Sequence, residues 1–322
     1  MNSEYIAIVK ATGSYLPPNL VSNNKLTERV NTSDEWISSR TGIKQRYFVN
    51  EDQATSDLAT MAAQEALNKA NLDPSAIDLI IVATTTPDYT FPSTAVIVQS
   101  KLKAVNAFAF DVQAVCAGFL YALETANNYI ATGRVKNALV IGAETMSRVV
   151  NWNDRTTCVL FGDGAGCFLL EASNNREQGI KKVNLFSNGD YLNILCSDNG
   201  PGTTNQASYL TMKGVEVYKH AVDKMSRAVE GVLASANMSV NDLDWLIPHQ
   251  ANIRIINAVG ERLKIDPDKT IITVDQHANT SAASIPLAFD HALKHKLISR
   301  GNKIAFTAIG GGLAWGAGLM IY

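Results

Sequence analysis

Runs of like charge, long apolar stretches and a low-complexity linker are all absent from this chain of 322 residues. With a formal net charge of −2 and no extended Lys/Arg run, it carries no footprint for nucleic acid or an anionic membrane. Any acidic partner must dock on a local patch. The opening residues Met1–Val9 place no basic segment ahead of a long apolar stretch, and Gly and polar residues interrupt every later apolar run. We therefore expect neither an export leader nor a membrane span. Cysteine is scarce: Cys116, Cys158, Cys167 and Cys196 are too sparse for a disulfide scaffold and too far apart for a metal-ligand cluster. A reducing cytoplasm is the simplest setting, and the sequons at Asn31, Asn237 and Asn279 carry no weight without secretion. His291 and His295 share a helix face without a third ligand, so they read as surface groups beside Lys294 and Lys296, and no metal is called for.

What the chain does have is apolar content, 46% of it, enough for an extensive core. Short apolar runs alternate with longer helical patterns, the mark of an α/β protein with largely parallel sheets. Buried strands are expected at Leu79–Val82, Ala107–Phe110, Ala138–Ile141, Trp245–Ile247 and Ile304–Phe306. Helical apolar spacing covers Ser56–Ala70, Val217–Ala234 and Ile253–Leu263. Thr32-Ser33-Asp34-Glu35 has the form of a capping box ahead of a short helix carrying Trp36 and Arg40.

The order of these elements repeats. Asp78–Ala83 leads through a helix to a strand and the turn at Cys116; Asp244–His249 leads through a helix to Thr270–Val274, read as a strand, and then Asn279. Both halves close on glycine-rich, hairpin-like segments, Phe161–Leu170 and Gly310–Ile321. These features predict a duplicated unit, residues 1–172 and 173–322, packed as one body because no linker separates the halves. Phe186–Ser208, rich in Asn, Gly, Ser and Thr, reads as a long irregular surface excursion.

Cys116 falls where an extended apolar run gives way to an amphipathic stretch, near a helix N-terminus. Unpaired N–H groups and the helix dipole there can lower a thiol pKa from about 8.5 toward neutrality; a buried structural cysteine is the plainer alternative. His249 follows a strand at the edge where α/β proteins place ligands, although taken alone a hydrogen-bonded structural histidine is the simpler reading. Asn279 reads equally as a site residue or a turn and cap asparagine. Consecutive glycines let a backbone approach a ligand, so the N–H of Gly311 could join that of Cys116 in an oxyanion hole, unless the glycines serve hairpin packing. Gly162-Asp163-Gly164-Ala165-Gly166 offers a weak nucleotide-binding reading, lacking both the Lys-Ser/Thr ending of a phosphate loop and the dinucleotide spacing.

Taken in order, Thr32–Ile37, Cys116–Phe119, Gly162–Gly166, Pro248–Asn252, Ala278–Pro286 and Gly310–Gly312 with Trp315-Gly316 resemble the β-ketoacyl-acyl carrier protein synthase III family of the thiolase superfamily. The likeness runs from Tyr5 to the C-terminus. It implies a five-layered α/β/α/β/α thiolase-like fold of two similar halves, a homodimer, and an acyltransferase that starts fatty acid synthesis without a tightly bound cofactor. Cys116, His249 and Asn279 match the family's Cys-His-Asn set; elongating ketoacyl synthases carry two His residues beside the Cys, and thiolases a second Cys. By resemblance, Cys116 takes an acyl group from acyl-CoA, probed most simply with acetyl-CoA, and passes it to malonyl-acyl carrier protein. His249 and Asn279 then hold the malonyl thioester oxygen during decarboxylation.

The same resemblance assigns CoA recognition to Trp36, Arg40, Arg155 and Asn252, with adenine stacked between indole and guanidinium. It assigns the acyl pocket to Met146, Phe161 and the partner-reaching Phe91, and carrier-protein docking to Lys219 and Arg254. Read singly, Trp36 is a helix anchor, Arg155, Lys219 and Arg254 are solvated charges, and Phe91, Met146 and Phe161 are core. Departures from the best-known relatives are Ile309 in place of Phe, Leu313-Ala314 in place of Phe-Thr, Val215 where a polar residue often touches CoA, and Glu261 in place of a basic residue. A specialised-pathway ketosynthase, or an acyltransferase that stops before carbon–carbon bond formation, shares the same residues. A noncatalytic acyl- or CoA-binding protein is the alternative of another class, and it would not need Cys116.

Overall fold

Strands that read as unbroken apolar runs require cover on both faces. The structure, a computed structural model describing residues 5–203 and 208–322, supplies that cover. A five-stranded sheet is built from β1 (Ile6–Tyr15), β2 (Leu79–Ala83), β3 (Phe108–Val112), β4 (Asn137–Thr145) and β5 (Asp163–Ser173), in the spatial order β1-β5-β4-β2-β3. A four-stranded sheet is built from β6 (Gly179–Ser187), β7 (Trp245–Pro248), β8 (Lys303–Gly310) and β9 (Ala314–Ile321), in the order β7-β8-β9-β6. Along β2, Leu79, Ile81 and Ala83 face one apolar cluster while Ile80 and Val82 face another, as the two-residue strand period demands.

The main helices are α1 (Asp34–Thr41), α2 (Thr55–Ala70), α3 (Thr94–Leu102), α4 (Gly118–Ala131), α5 (Gly214–Ser235), α6 (Ile253–Leu263) and α7 (Ser284–Lys294). Helices α2 and α3 cover the outer face of the first sheet, and α5 and α6 that of the second. Helices α4 and α7 lie between the sheets, where Phe119 and Phe289 meet Phe168 of β5 and Phe306 of β8. Phe168 stands 4.9 Å from Phe119 and 4.8 Å from Phe289, and Phe289 stands 5.9 Å from Phe306, ring centre to ring centre. All four rings are fully buried. The result is the five-layered α/β/α/β/α arrangement.

The two sheets repeat one plan. From the edge inward, β1, β5, β4, β2 and β3 correspond to β6, β9, β8, β7 and a single parallel bridge from Leu246 to Thr270. That bridge corrects the reading of Thr270–Val274 as a strand. The backbone groups that would pair are taken by a side chain: Gln250 Nε2 donates to Ile271 O at 3.1 Å, and Gln250 Oε1 accepts from the N–H groups of Thr273 and Val274 at 2.8 and 3.1 Å. The chain then turns into the short helix Val274–His277.

Three further expectations are adjusted. The cap of α1 is Ser33, whose hydroxyl accepts from Trp36 N, so the box does not begin at Thr32. Phe161–Leu170 is no hairpin: β5 pairs antiparallel with β1 on one side and β4 on the other, leaving no loop at Gly162–Gly166 to cradle a phosphate. Gly166 is there for packing, since a Cβ would stand 2.7 Å from Leu287 N of α7. Phe186–Ser208 is partly regular, with a 3-10 helix at Gly189–Ile194 and a strand at Leu195–Ser197 paired with Leu210–Met212; 204–207 lie outside the described residues. Among the described residues no helix is long and apolar enough to cross a membrane.

Asp290 fastens α7 in the middle layer. Fully buried, it accepts from Thr12 Oγ1 and Ser14 Oγ, both at 2.6 Å, and pairs with Lys69 at 2.9 Å and Lys294 at 2.8 Å. Burial alone would raise its pKa, but these donors together hold it down at about 2, against an ordinary 3.8. A carboxylate depressed in this way adds stability above its ordinary value, and that stability is lost as pH falls through the folded value. Asp290→Asn is expected to cost about 3 kcal/mol of unfolding free energy at pH 7. The deficit relative to the parent chain should shrink as denaturation is repeated from about pH 4 down toward about pH 2; a deficit independent of pH would contradict the assignment.

Candidate active site

Cys116 occupies a 3-10 turn, Val115–Ala117, that hands the chain from β3 to α4. The turn is strained at Val115, whose φ is +50°, a region a β-branched residue rarely enters. Opposite it, the end of β8 comes so close that a Cβ on Gly310 would stand 2.7 Å from Cys116 N and 2.8 Å from Ala114 O. Only glycine permits that approach. Gly311 follows directly and shares with Val115 the lining of a smaller cavity of about 390 Å³.

The helix N-terminus is where the residue pattern puts it, but the expected pKa is not. Burial pushes the Cys116 thiol up to about 12; the neighbouring Ser281 hydroxyl works against that, and the nearby Glu144 adds to it. Ser281 Oγ forms no hydrogen bond of its own within normal limits, so its help is weak. Desolvation outweighs the helix end.

His249 leaves the end of β7 and Asn279 follows the Gln250-bound segment, and both side chains line one cavity of about 870 Å³ with Cys116. Asn279 N donates to Leu160 O, and its own carbonyl accepts from Gly162 N. Its side-chain Oδ1 accepts from Ser281 N at 2.9 Å, which leaves the Nδ2 donors free. His249 Nδ1 lies 2.6 Å from Ser284 Oγ. Burial depresses the imidazole pKa to about 3, so the ring is neutral throughout the physiological range.

The cavity also reaches Trp36, Arg40, Asn252 and Arg254, which are more exposed. The guanidinium groups of Arg40 and Arg155 lie 4.8 and 5.0 Å from the Trp36 ring centre, and Arg155 also donates to Asn31 O at 3.2 Å. Asn252 caps α6, its Oδ1 accepting from Ile255 N at 3.0 Å. That use leaves both Nδ2 donors of Asn252 available to a ligand. Met146 and Phe161 line the cavity. Phe91 does not; it is 83% exposed on the surface of its own chain. Lys219 is an exposed residue of α5, outside the lining.

Residues 110–189 match the family described as 3-oxoacyl-[acyl-carrier-protein (ACP)] synthase III, and residues 233–322 match its C-terminal part. A β-ketoacyl-[acyl-carrier-protein] synthase III from Wolbachia pipientis wMel is 54% identical over 323 residues, covering 100% of both chains. The chain belongs to this synthase III family. A relative of the same name from Neisseria meningitidis serogroup B is 53% identical, over 98% of this chain and 99% of its own. Among solved structures, a synthase III from Aquifex aeolicus VF5 superposes with a TM-score of 0.93 at 46% identity, covering 99% and 100% of the two chains. The priming β-ketosynthase of the R1128 polyketide pathway superposes at 0.94 with 31% identity, covering 100% and 98%.

Four residues of this synthase that shape the site have no role in the sequence pattern, although Gln250 and Ser284 lie inside two of the ordered motifs. Ser284 contacts the His249 ring, and Gln250 holds the Ile271–Val274 segment that leads to Asn279. Arg46 is fully buried with no carboxylate partner among the described residues, donating to Asn23 Oδ1 at 2.7 Å and Val159 O at 2.9 Å. Burial brings it down to about 10, so it stays charged and ties the segment carrying α1 to the strand-side loop before Phe161. Glu144 is buried among the hydroxyls of Thr84, Thr85 and Thr86 and the N–H of Thr85. The departures sit at distinct depths: Ile309 is buried in the cavity lining, Leu313 is buried in the turn after β8, and Val215, 72% exposed, and Glu261 edge the cavity.

These pKa directions set a pH dependence. Alkylation of Cys116 by iodoacetamide, followed by peptide mapping, should accelerate about tenfold per pH unit from pH 7 to 9, because the thiolate fraction is still rising. A plateau near neutrality would show a thiol already ionised and contradict the buried-thiol account.

Proposed function

We propose that this synthase loads an acyl group, acetyl in the simplest case, from acyl-CoA onto Cys116 and condenses it with malonyl-acyl carrier protein, so initiating fatty acid synthesis. The observation that carries the reading is the shared cavity lining: one buried thiol faces the same space as a neutral imidazole and a carboxamide whose Nδ2 is a donor. In the first step the Cys116 sulfur attacks the thioester carbonyl as its proton departs. The N–H groups of Cys116 and Gly311 hold the developing oxyanion, and CoA leaves with a proton as the free thiol.

In the second step the bond between the malonyl α-carbon and its carboxylate breaks and carbon dioxide departs. The electron pair becomes an enolate whose oxygen is held by His249 and Asn279. The enolate carbon attacks the acyl carbonyl, and the Cys116 thiolate leaves. Neither His249 nor Asn279 has to remove a proton, which suits a histidine held neutral by burial.

Trp36 and Arg155 fit adenine, Arg40 a phosphate or ribose, and the free amide of Asn252 a pantetheine carbonyl. Arg254 at the rim and Lys219 nearby on α5 suit an acidic carrier. Exposed Tyr89, Phe91, Val105 and Phe108, together with an outer edge of β3 that pairs with no strand among the described residues, support a homodimer in which Phe91 limits the partner's acyl pocket, opposite Met146 and Phe161. The halves 1–172 and 173–322 then divide the work, the first carrying Cys116 and the second His249 and Asn279. Identity of 54% to a synthase III against 31% to a polyketide priming enzyme supports the fatty acid role over a specialised one.

His249→Ala and Asn279→Ala should each slow decarboxylation of the malonyl thioester about a hundredfold, on the order of 3 kcal/mol for a lost preorganised donor. Transfer of the acyl group from acetyl-CoA to Cys116, followed by rapid quench, should change far less. Equal losses in the two half-reactions would overturn this division.

A further inference from the structure

The proton on a neutral imidazole sits on one nitrogen only, and the group facing the other nitrogen decides which. In this protein that group is a hydroxyl. Ser284, the first residue of α7, is buried beside the end of β7, with Oγ 2.6 Å from His249 Nδ1 and 3.3 Å from the backbone N of Gln250. A serine hydroxyl has one proton to give and lone pairs to receive with. The Gln250 N–H can only donate, so it uses a lone pair of Ser284 Oγ. The Ser284 proton then has His249 Nδ1 as its acceptor. The opposite arrangement, with a proton on Nδ1, would aim two N–H donors at Ser284 Oγ and leave its own proton without a partner among the described residues. Burying an unsatisfied donor there is costly.

We propose that Ser284 is a positioning residue that fixes His249 as the Nε2–H tautomer, so that the ring edge facing the cavity is a hydrogen-bond donor and never a base. The Gln250 side chain completes the hold. Besides its bonds to Ile271, Thr273 and Val274, Nε2 of Gln250 donates to Pro248 O at 2.8 Å, so the residues on both sides of His249 are pinned to neighbouring backbone. The backbone N–H of His249 itself donates to Thr307 O at 2.8 Å. The ring is thereby held from the main chain below and from Ser284 at its Nδ1 edge. The same hydroxyl explains how a histidine can serve decarboxylation without competing for the Cys116 proton: in this tautomer its cavity-facing nitrogen has no lone pair to offer. This inference rests on His249 acting as donor to the malonyl thioester.

The test separates the two claims. Two-bond proton–nitrogen NMR on the full-length protein with 15N-labelled histidine reports the tautomer of His249 without any substrate. Assignment is by comparison with His249→Gln. The parent protein should show the Nε2–H pattern, Ser284→Ala should show a mixture or the Nδ1–H form, and Ser284→Thr, which restores the hydroxyl, should return the parent pattern. In parallel, decarboxylation of the malonyl thioester should fall at least tenfold in Ser284→Ala and recover in Ser284→Thr, with acyl transfer to Cys116 changed less than twofold in both. An Nδ1–H pattern in the parent protein overturns the proposal. So does a loss of decarboxylation in Ser284→Ala with the tautomer unchanged, which would make the effect structural. A changed tautomer with decarboxylation intact overturns instead the role of His249 as donor.

Discussion

Four phenylalanine rings from three adjacent layers meet at the centre of this protein, and the site depends on that meeting. Phe168 of β5 and Phe306 of β8 belong to different sheets, while Phe119 and Phe289 belong to the two helices between them. Burying side chains of this size contributes roughly 1.5–3 kcal/mol each, and it can be satisfied only if α4 and α7 both lie in the middle layer. Once they do, their N-termini are fed by equivalent turns, Val115–Ala117 and Ser281–Ala283, and each turn opens on a residue with φ +50°, Val115 and Ser281. Cys116 sits in one turn. Asn279 precedes the other and Ser284 follows it, and His249 comes from the strand packed beside α7.

The same burial that assembles the site sets its electrostatics. A buried apolar centre raises the cost of charge, so the thiol is pushed up, the histidine is pushed down, and both rest neutral. In the proposed reaction the chemistry is left to groups that need no charge of their own: backbone N–H groups at the Cys116 turn and the glycine-rich end of β8, a neutral imidazole and a carboxamide. Each of the two side chains is oriented by a hydrogen bond on its far edge, Ser281 N–H for Asn279 and the Ser284 hydroxyl for His249. Preorganised neutral donors in a largely apolar cavity act on developing negative charge more strongly than they would in water.

Local pattern was enough for much of this. Ile253–Leu263 is helical over the whole span its apolar spacing predicts, and Leu79–Val82 falls inside β2. The ordered motifs point to Cys116, His249 and Asn279 as one set, and all three line one cavity. What local pattern could not carry is interaction at a distance. Thr270–Val274 has the β-branched content of a strand, yet the side chain of Gln250 takes the backbone groups a neighbouring strand would need. Ser284 lies 35 residues from His249, Arg46 113 from Val159, and Glu144 58 from Thr86. A charged or hydroxyl residue reads as exposed until its distant partner is known, and the Cys116 thiol reads as activated until its depth of burial is known.

The most direct test of the whole account is where the acyl group resides. Intact-protein mass spectrometry and peptide mapping after mixing with acetyl-CoA should find a single acetyl group on the peptide bearing Cys116. Adding malonyl-acyl carrier protein should discharge it, with carbon dioxide released and a ketoacyl product formed. An acetyl group on Cys158, Cys167 or Cys196 instead, or condensation proceeding in Cys116→Ala at the parent rate, would contradict it.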